Sequence, residues 1–381
     1  HQVLPRAPEY DRTSTTVVNA YVGPRVTSYL ERLVSRVKQA GYQKQLMVMQ
    51  ASGGVMTKEY IEGSPIRVLA SGPAGGVICS AYAGVAKGHN NLLCVDMGGT
   101  SYDISMVIGG AAPAVAGWNM HHRYLVGVPM VQVETLGAGG GSICHVNEGE
   151  VEVGPASAGS DPGPICYGRG GERPTITDAL LLLGILSDEA EFAGGSFSLT
   201  REGVEEAFKA IGDQMGYTAE DAAFDCWRMV NANMSQGVRR ITAGKGVDPG
   251  EMCMLAYGGN GPTFAAIQAE DLGINRVLVP KASPTFSALG TLVADPSIDE
   301  ERSHLVSAHD VDADKLKSLW SELVERARRH FTDAGFAASD VTARYQLNMR
   351  YPGQNWSLTF NVKVTRGLDD LSFIDSTIGQ R

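Results

Sequence analysis

Glycine is concentrated in short groups along this chain, and these groups constrain the fold more than any other feature. The sequence holds 46 glycines among 381 residues, well above the ~7% of average proteins. The main groups lie at Gly72–Gly76, Gly98–Gly99, Gly137–Gly141, Gly154–Gly171 and Gly258–Gly261. Because glycine adopts backbone conformations closed to other residues and lets a ligand approach the main chain, the groups predict several tight turns near a binding site.

Three of these groups follow apolar runs that predict buried strands. The run Asn91–Val107, NLLCVDMGGTSYDISMV, predicts two strands joined by a glycine loop. The run Met252–Pro262, MCMLAYGGNGP, predicts a strand that turns into a helix at 263–272. Val128–Leu136 predicts another strand, which ends at the glycine run GAGGGS. Strands that alternate with helices in this way indicate an α/β fold.

Composition and charge exclude several classes of function. The chain is 43% hydrophobic with a net charge of -10, and its basic residues are scattered, so we expect a small-molecule partner and neither nucleic acid nor an anionic membrane. The six cysteines form no C-x-x-C pair, and no apolar run reaches the ~20 residues of a membrane span. The start of the sequence has no signal-peptide pattern, and we therefore predict a cytoplasmic protein.

A change in composition near residue 297 predicts two domains. Glycine is frequent before this point, whereas a charged helix near 312–335 and alternating residues typical of exposed strands follow it. We predict a main α/β domain at 1–297 and a small C-terminal α+β unit at 298–381. At the other end, apolar residues at helical spacing predict a helix over 13–41 that has a break or a kink at Gly23-Pro24.

The loop between the first two predicted strands has the composition of a phosphate and metal site. Its glycines let backbone N–H groups approach phosphate oxygens, and the hydroxyls that follow add donors. Asp96 and Asp103 flank the loop and would repel a phosphate, so a bound Mg²⁺ or a polarised water is the natural mediator. The alternative interpretation is a plain β-hairpin with two solvated carboxylates. The candidates are Asp96 and Asp103 as catalytic groups and Mg²⁺ ligands, and Gly98, Gly99, Thr100 and Ser101 as the phosphate loop.

Two further glycine loops are candidates for nucleotide contacts. They comprise Gly258, Gly259 and Asn260 in GGNGP, and Gly139, Gly140 and Gly141 in GAGGGS. The first follows a predicted strand and opens a helix, which fits a second nucleotide contact, although packing at a helix entry is an alternative. The second is rarer, because three consecutive glycines are costly to order. Its alternative is a structural turn.

These motifs resemble those of a known superfamily. Asp96–Asp103 resembles the second phosphate loop of the actin-like ATPases and sugar kinases, and GGNGP resembles their adenosine loop. More specifically, the chain is similar to the hydantoinase A and 5-oxoprolinase family, with its acetone and acetophenone carboxylase relatives. The matching stretches, which span residues 12–295 in family order, are RTSTTVVNAYVGP, MQASGGVMT, ASGPAGGV, VDMGGTSYDIS, VETLGAGGGSI, VGPASAGSDPGPICYGRGG, TITDALLLLG, YGGNGPTFA and FSALGTLVAD.

The resemblance implies an α/β fold of the actin-like ATPase, or ribonuclease H-like, type with helical insertions. It implies ATP and Mg²⁺ bound between two domains, and a second, B-type subunit in an oligomeric assembly. Family members begin with another Gly-Gly-Thr phosphate loop in an N-terminal domain, and this sequence has no second copy. The resemblance therefore implies a fragment that lacks the N-terminal domain.

The leading expectation for function is the ATP-binding subunit of an ATP-dependent cyclic-amide hydrolase of the hydantoinase or 5-oxoprolinase type. In such relatives, phosphorylation of the carbonyl oxygen activates the amide before ring opening. The alternatives are a subunit of an ATP-dependent ketone carboxylase of the acetone or acetophenone type, and a non-catalytic nucleotide-binding assembly protein. The unbroken GAGGGS favours the hydrolase. Glu134 and Phe264 stand where many hydantoinase-type members have histidine, which leaves room for the carboxylase.

Overall fold

The computed structural model is a mixed α/β structure that describes residues 2–120, 124–190, 192, 195, 197–354 and 357–362. Its helices are α1 (Glu9–Gln39), α2 (Lys58–Gly63), α3 (Ser71–Ala86), α4 (Ile176–Leu182), α5 (Val204–Met215), α6 (Ala219–Gly244), α7 (Gly261–Leu272), α8 (Phe286–Val293) and α9 (Ala313–Asp333). Its strands are β1 (Met47–Met49), β2 (Val55–Thr57), β3 (Leu92–Met97), β4 (Tyr102–Val107), β5 (Ala114–Val115), β6 (Trp118–Met120), β7 (Tyr124–Val126), β8 (Met130–Val131), β9 (Val133–Leu136), β10 (Ser142–Asn147), β11 (Glu150–Ser157), β12 (Cys253–Tyr257), β13 (Val277–Leu278), β14 (Tyr345–Met349) and β15 (Leu358–Val362).

A five-stranded mixed sheet organises the main part of the chain. The order of its strands is β13, β12, β3, β4 and β9. Strand β12 runs parallel to β3 and β13, while β4 is antiparallel to β3 and β9. The carboxyl ends of β3 and β12 therefore lie side by side, although the two strands are far apart in sequence. This is the edge at which open α/β sheets bind their ligands.

The sheet buries both of its faces. Leu92 and Cys94 of β3 share a core with α3 and α8 on one face. Leu93 and Val95 share a core with α4, α5, α6 and α7 on the other face. Because successive side chains of a strand point to opposite faces, the continuous apolar run of β3 supplies both cores. The same alternation places Asp96 on the α3 and α8 face, at the point where the strand reaches the edge.

The N-terminal helix continues through its proline. Of the break or kink that the sequence predicts at Gly23-Pro24, the break does not occur, because α1 is uninterrupted there. Proline removes one main-chain hydrogen bond and strains the preceding turn. That loss is small against the bonds kept by the remaining turns of this 31-residue helix. The helix also packs against β7 and the short 3-10 helix Pro65–Val68.

A helix and a hairpin form the C-terminal part of the described chain. Leu316 and Trp320 of α9 pack against Val362 of the β14–β15 hairpin. Ion pairs of Glu300 with Arg326 and of Glu301 with Arg6 tie the segment before α9 to both parts of the protein. The predicted helix and antiparallel strands are therefore present. Residues 363–381 of the predicted C-terminal unit lie outside the described residues, and the boundary at 297 stays a prediction.

All six cysteines are buried and unpaired, as their positions in apolar runs predict. Burial raises the pKa of the Cys94 thiol to about 12, so this group is an apolar packing residue at neutral pH.

Within the described residues, the structure contains no helix whose length and hydropathy would allow it to span a bilayer.

Candidate functional site

Three glycine-rich loops meet at the carboxyl ends of β3 and β12. They are Gly98–Ser101 between β3 and β4, Gly258–Asn260 before α7, and Gly137–Gly141 after β9. The Asn260 N–H donates to the carbonyl oxygen of Met97 at 2.9 Å, and the Gly140 N–H donates to that of Gly98 at 3.1 Å. The Asn260 side-chain amide also donates to the Gly98 carbonyl at 3.3 Å. The fold thus brings together the three loops that the sequence singles out.

The Gly137–Gly141 loop is an internal brace. Its three consecutive glycines are buried, and all of their N–H groups have partners. Gly139 donates to the Ser142 hydroxyl at 2.9 Å, Gly140 donates to the β3–β4 loop, and Gly141 donates to the carbonyl oxygen of Gly99 at 2.6 Å. The cofactor contact predicted for Gly139, Gly140 and Gly141 stays a prediction, and their N–H groups are not free for a phosphate. They hold the β3–β4 loop in place.

Close backbone contact explains why the brace is made of glycine. A Cβ atom at Gly139 would lie 2.6 Å from the backbone nitrogen of Thr100. A Cβ atom at Gly140 would overlap the side-chain amide of Asn260 and lie 2.6 Å from Thr177 Oγ1. Packed atoms do not approach so closely, so any side chain here would push the loops apart.

The first turn of α4 supports the brace. Thr175 caps the helix in a capping box with Asp178, and the Thr177 hydroxyl donates to the carbonyl oxygen of Gly140 at 2.9 Å. The Asp178 carboxylate is fully buried and accepts the Cys166 N–H at 2.7 Å. A buried carboxylate is tolerated when several donors satisfy it. Asp178 is therefore a structural residue that joins the SDPGPICYG turn to the helix below the brace.

The β3–β4 loop and the start of α7 have main-chain donors without partners. Among the described residues, the N–H groups of Gly99, Thr100 and Gly259 donate to no protein atom. A Cβ atom at Gly98, Gly99 or Gly259 would meet nothing within 4 Å, so open space lies beside the main chain. The N-terminal end of α7, which begins at Gly261, adds a partial positive charge. This corner can bind an anion such as phosphate.

Asp96 and Asp103 face each other across the β3–β4 hairpin. They are direct partners in the register, and the row continues to Tyr257 on β12 and Thr135 on β9. Such partners project to the same face with Cα atoms roughly 5 Å apart. Both carboxylates are half-buried. A Cβ atom at Gly258 would overlap Asp96 Oδ1, so the second glycine loop lies directly against this carboxylate.

No cationic side chain of the described residues pairs with either carboxylate. Burial raises the pKa of Asp96 and the charge of Asp103 raises it as well, while a hydrogen bond from Ser287 lowers it. Burial also raises the pKa of Asp103, against a hydrogen bond from Thr135. Like charges placed opposite each other destabilise a sheet. The pair is therefore suited to a bound cation.

The donor set fits Mg²⁺ bound together with a phosphate. Within the described residues, no group of three or more His, Cys, Asp or Glu side chains could hold a metal. A closed structural site, as for zinc, needs four protein ligands. Mg²⁺ instead binds one or two carboxylates and completes its shell with water and substrate phosphates. Asp96 and Asp103, next to free N–H donors, match the second pattern.

Two hydroxyl side chains belong to the site although the sequence does not single them out. Ser287 of α8 donates to Asp96 Oδ2 at 3.1 Å, and Thr135 of β9 donates to Asp103 Oδ1 at 2.6 Å. Ser287 and Asp96 are 191 residues apart. Both hydroxyls lie in stretches that carry the family resemblance, FSALGTLVAD and VETLGAGGGSI. Membership of these stretches is the sequence signal that could have identified them as site residues.

The two positions at which the resemblance leads us to look for histidine have different surroundings. Phe264 of α7 is fully buried in the core. Glu134 of β9 is exposed. An apolar core residue cannot ligate a metal, so these two positions do not form a metal site together.

Comparison with known proteins places the chain in a family. Residues 12–300 match the hydantoinase/oxoprolinase family, and residues 306–374 match the hydantoinase/oxoprolinase C-terminal domain. The chain is 38% identical over 359 residues to the caprolactamase subunit alpha of Pseudomonas jessenii, which covers 93% of this chain and 51% of that protein. The chain thus spans about half the length of this curated relative.

Two solved structures have the same fold. The crystal structure of the ATP-dependent caprolactamase from Pseudomonas jessenii matches with a TM-score of 0.81 at 35% identity, over 100% of this chain and 55% of that chain. Nucleotide-free acetone carboxylase matches with a TM-score of 0.81 at 30% identity, over 98% of this chain and 55% of that chain. The predicted fold class is confirmed. By its sequence and its fold, the chain belongs to the hydantoinase/oxoprolinase family.

Proposed function

We propose that this chain is the ATP-binding part of an ATP-dependent enzyme that hydrolyses a cyclic amide. One observation carries the proposal. Free main-chain N–H groups stand beside two carboxylates that have no cation of their own among the described residues. Anion donors next to metal ligands fit a nucleotide phosphate with its Mg²⁺. The similar caprolactamase is described as ATP-dependent, which supports the same cofactor here.

Each loop has a separate role in this proposal. The Gly98–Ser101 loop binds a phosphate through the N–H groups of Gly99 and Thr100, which have no partner among the described residues, and through its hydroxyls. Gly258, Gly259 and Asn260 contact the nucleotide from the α7 side, where the Gly259 N–H is the available donor and those of Gly258 and Asn260 are engaged. Asp96 and Asp103 hold Mg²⁺ and orient or deprotonate a water beside it. When bound, ATP would supply the phosphoryl group that activates the amide carbonyl for attack by water. The C–N bond of the ring then breaks with the nitrogen leaving as an amine, and a second water releases the phosphoryl group as inorganic phosphate. The Gly139–Gly141 brace keeps the phosphate loop in position.

The substrate and the partner are proposed from the relatives. Caprolactamase acts on a cyclic amide, and the caprolactamase chain that is similar to this one is its subunit alpha. We therefore propose a cyclic-amide substrate and a second, B-type subunit in an oligomer. An ATP-dependent ketone carboxylase is the second candidate, because acetone carboxylase matches with the same TM-score of 0.81. The higher sequence identity to caprolactamase favours the hydrolase.

The test is ADP release by the intact protein with its partner subunit, Mg²⁺ and ATP. Hydantoin, 5-oxoproline, caprolactam, or a ketone with bicarbonate is added singly. Stimulation by a cyclic amide supports the hydrolase, whereas stimulation only by a ketone with bicarbonate assigns the carboxylase instead.

Asp96→Asn should lower stimulated ADP release on the order of 100-fold, because a Mg²⁺ ligand loses its charge. Asp213→Asn is the matched control, since Asp213 is exposed and its ion-pair partner among the described residues is Lys209 on the surface of α5. Full activity of Asp96→Asn would remove the aspartate from the catalytic machinery and favour a non-catalytic assembly protein.

A further inference from the structure

Each aspartate of the carboxylate pair has one oxygen held by a hydroxyl group. Ser287 donates to Asp96 Oδ2 at 3.1 Å, and Thr135 donates to Asp103 Oδ1 at 2.6 Å. The other two oxygens, Asp96 Oδ1 and Asp103 Oδ2, accept no hydrogen bond from the described residues. Each carboxylate therefore has one oxygen held by a hydroxyl and one open oxygen, meaning an oxygen that accepts no hydrogen bond from the described residues. The open oxygen of Asp96 lies beside Gly258, where the absence of a side chain leaves room next to it.

Ser287 is held over Asp96 by the contact between α3 and α8. A Cβ atom at Gly75 would lie 2.6 Å from the Ser287 carbonyl oxygen, and one at Gly76 would lie 2.7 Å from Ser287 Oγ. A Cβ atom at Gly290 would overlap the Gly75 carbonyl oxygen. The three glycines thus let the two helices touch through their backbones. This contact leaves the serine hydroxyl little room to move away from the carboxylate.

Thr135 is placed by the sheet itself. It is the direct register partner of Asp103 on the neighbouring strand β9, and directly opposite side chains project to the same face. The row Asp96, Asp103, Thr135 runs across three adjacent strands. A hydroxyl from a helix and a hydroxyl from a strand therefore bracket the two carboxylates from opposite ends.

We propose that Ser287 and Thr135 are positioning residues that fix the rotation of the Asp96 and Asp103 carboxylates, so that both open oxygens are presented to one Mg²⁺. A carboxylate rotates in a broad well about its last torsion, and its oxygens must be placed within about 0.5 Å to ligate a metal well. One hydrogen bond per carboxylate selects the orientation. This inference rests on the proposed function, because the cation is the one that accompanies the nucleotide.

A merely structural role would have different consequences. If the hydroxyls only satisfied half-buried carboxylates, their removal would lower stability and leave metal binding by the folded protein unchanged. If they position the ligands, their removal weakens metal binding while the protein stays folded. Metal affinity measured alongside the melting temperature therefore separates the two roles.

The experiment measures Mn²⁺ binding by electron paramagnetic resonance, with ADP present, in the intact protein with its partner subunit. This readout needs no turnover. Ser287→Ala and Thr135→Val should each weaken Mn²⁺ binding about tenfold, and kcat for ADP release should fall with KM for the organic substrate within about twofold. Thr135→Ser keeps the hydroxyl and should bind Mn²⁺ like the unmodified protein. Thr291→Val is the matched control on α8, because the Thr291 hydroxyl donates to the Ala288 carbonyl of its own helix at 2.7 Å and, within the described residues, to neither aspartate.

Three other outcomes overturn the proposal in different ways. Normal Mn²⁺ binding by Ser287→Ala and Thr135→Val, with binding lost in Asp96→Asn, rejects the positioning role and leaves the proposed function standing. Absence of Mn²⁺–ADP binding in the unmodified protein rejects both. A lowered melting temperature with normal affinity assigns the two hydroxyls a structural role. If Ser287→Ala disturbs the α3–α8 contact and lowers the yield of folded protein, Thr135→Val still tests the proposal.

Discussion

The glycines of the β3–β4 loop and those of the brace resemble each other in sequence but differ in what surrounds them. At Gly98 and Gly99, an added Cβ atom would meet nothing within 4 Å, whereas at Gly139 it would lie 2.6 Å from a neighbouring backbone nitrogen. Among the described residues the Gly99 N–H has no partner, whereas the N–H groups of Gly139, Gly140 and Gly141 are all engaged. One group keeps the main chain open to a ligand, and the other lets two loops pack together. Glycine content locates such a site but does not tell which loop binds.

The largest expected effect comes from filling the contact at the brace. Gly139→Ala should lower the free energy of unfolding by about 3 kcal/mol, the upper end for overpacking. The methyl group would meet the backbone of Gly99 and Thr100, which cannot move away as a flexible side chain could. Chemical denaturation of the intact protein measures the effect. Stability equal to that of the unmodified protein would show that the two loops are not packed together.

The same methyl group on the β3–β4 loop should weaken nucleotide binding and leave the free energy of unfolding nearly unchanged. Gly98→Ala should change the free energy of unfolding by less than about 0.5 kcal/mol, because no protein atom lies within 4 Å of the new Cβ. It should weaken nucleotide binding about tenfold, or about 1.4 kcal/mol, since the methyl group enters the space beside the free N–H groups. Calorimetric titration with ADP and Mg²⁺ measures this. Unchanged affinity would mean that the phosphate does not lie over Gly98.

A smaller effect is expected from the support below the brace. Thr177→Val removes the hydroxyl that donates to the Gly140 carbonyl at 2.9 Å. A buried hydrogen bond of this kind contributes about 1 kcal/mol, so the free energy of unfolding should fall by that amount. Thr177→Ser keeps the donor and is the control. If the valine variant lost nucleotide affinity but kept its stability, the brace would be part of the binding surface after all.

Local features of the site could be predicted from the sequence, because they depend on neighbouring residues. The β3–β4 strands, the loop between them and the turn into α7 follow from apolar runs that end at glycine. Of the break or kink predicted at Gly23-Pro24, the break does not occur, since tertiary contacts along α1 outweigh one lost hydrogen bond. Helix propensity alone cannot weigh those contacts.

The partners of each group could not be predicted, because they depend on the order of the strands and on contacts between distant segments. Thr135 meets Asp103 only because β9 pairs with β4. Ser287 reaches Asp96 only because glycines bring α8 against α3. Whether an N–H group in a glycine loop is free or engaged is likewise a tertiary property, and this is why the brace could be taken for a second phosphate loop.

The smallest predicted effect is a change in stability from the two carboxylates that flank the β3–β4 loop. Burial and the neighbouring Asp103 raise the pKa of Asp96 above its usual 3.8. A carboxyl group whose pKa is raised by folding favours the folded state below pH 3.8 and loses that contribution as the pH rises through the folded pKa. At neutral pH the ionised pair therefore lowers the stability of the protein without nucleotide.

Asp96→Asn removes one of the two charges and keeps an oxygen that can accept the Ser287 hydrogen bond. We expect the variant to be more stable than the unmodified protein by about 0.5 kcal/mol at pH 7, the size of a like-charge pair between strands. The gain should disappear as the pH falls below 3.8, where both proteins are neutral at this position. Thermal unfolding across this pH range in the absence of Mg²⁺ and nucleotide tests the sign. A loss of stability at pH 7 would mean that the two carboxylates already have a neutralising partner. The β3–β4 loop would then differ from the brace only in the space around its glycines, and not in its ability to bind a cation together with a phosphate.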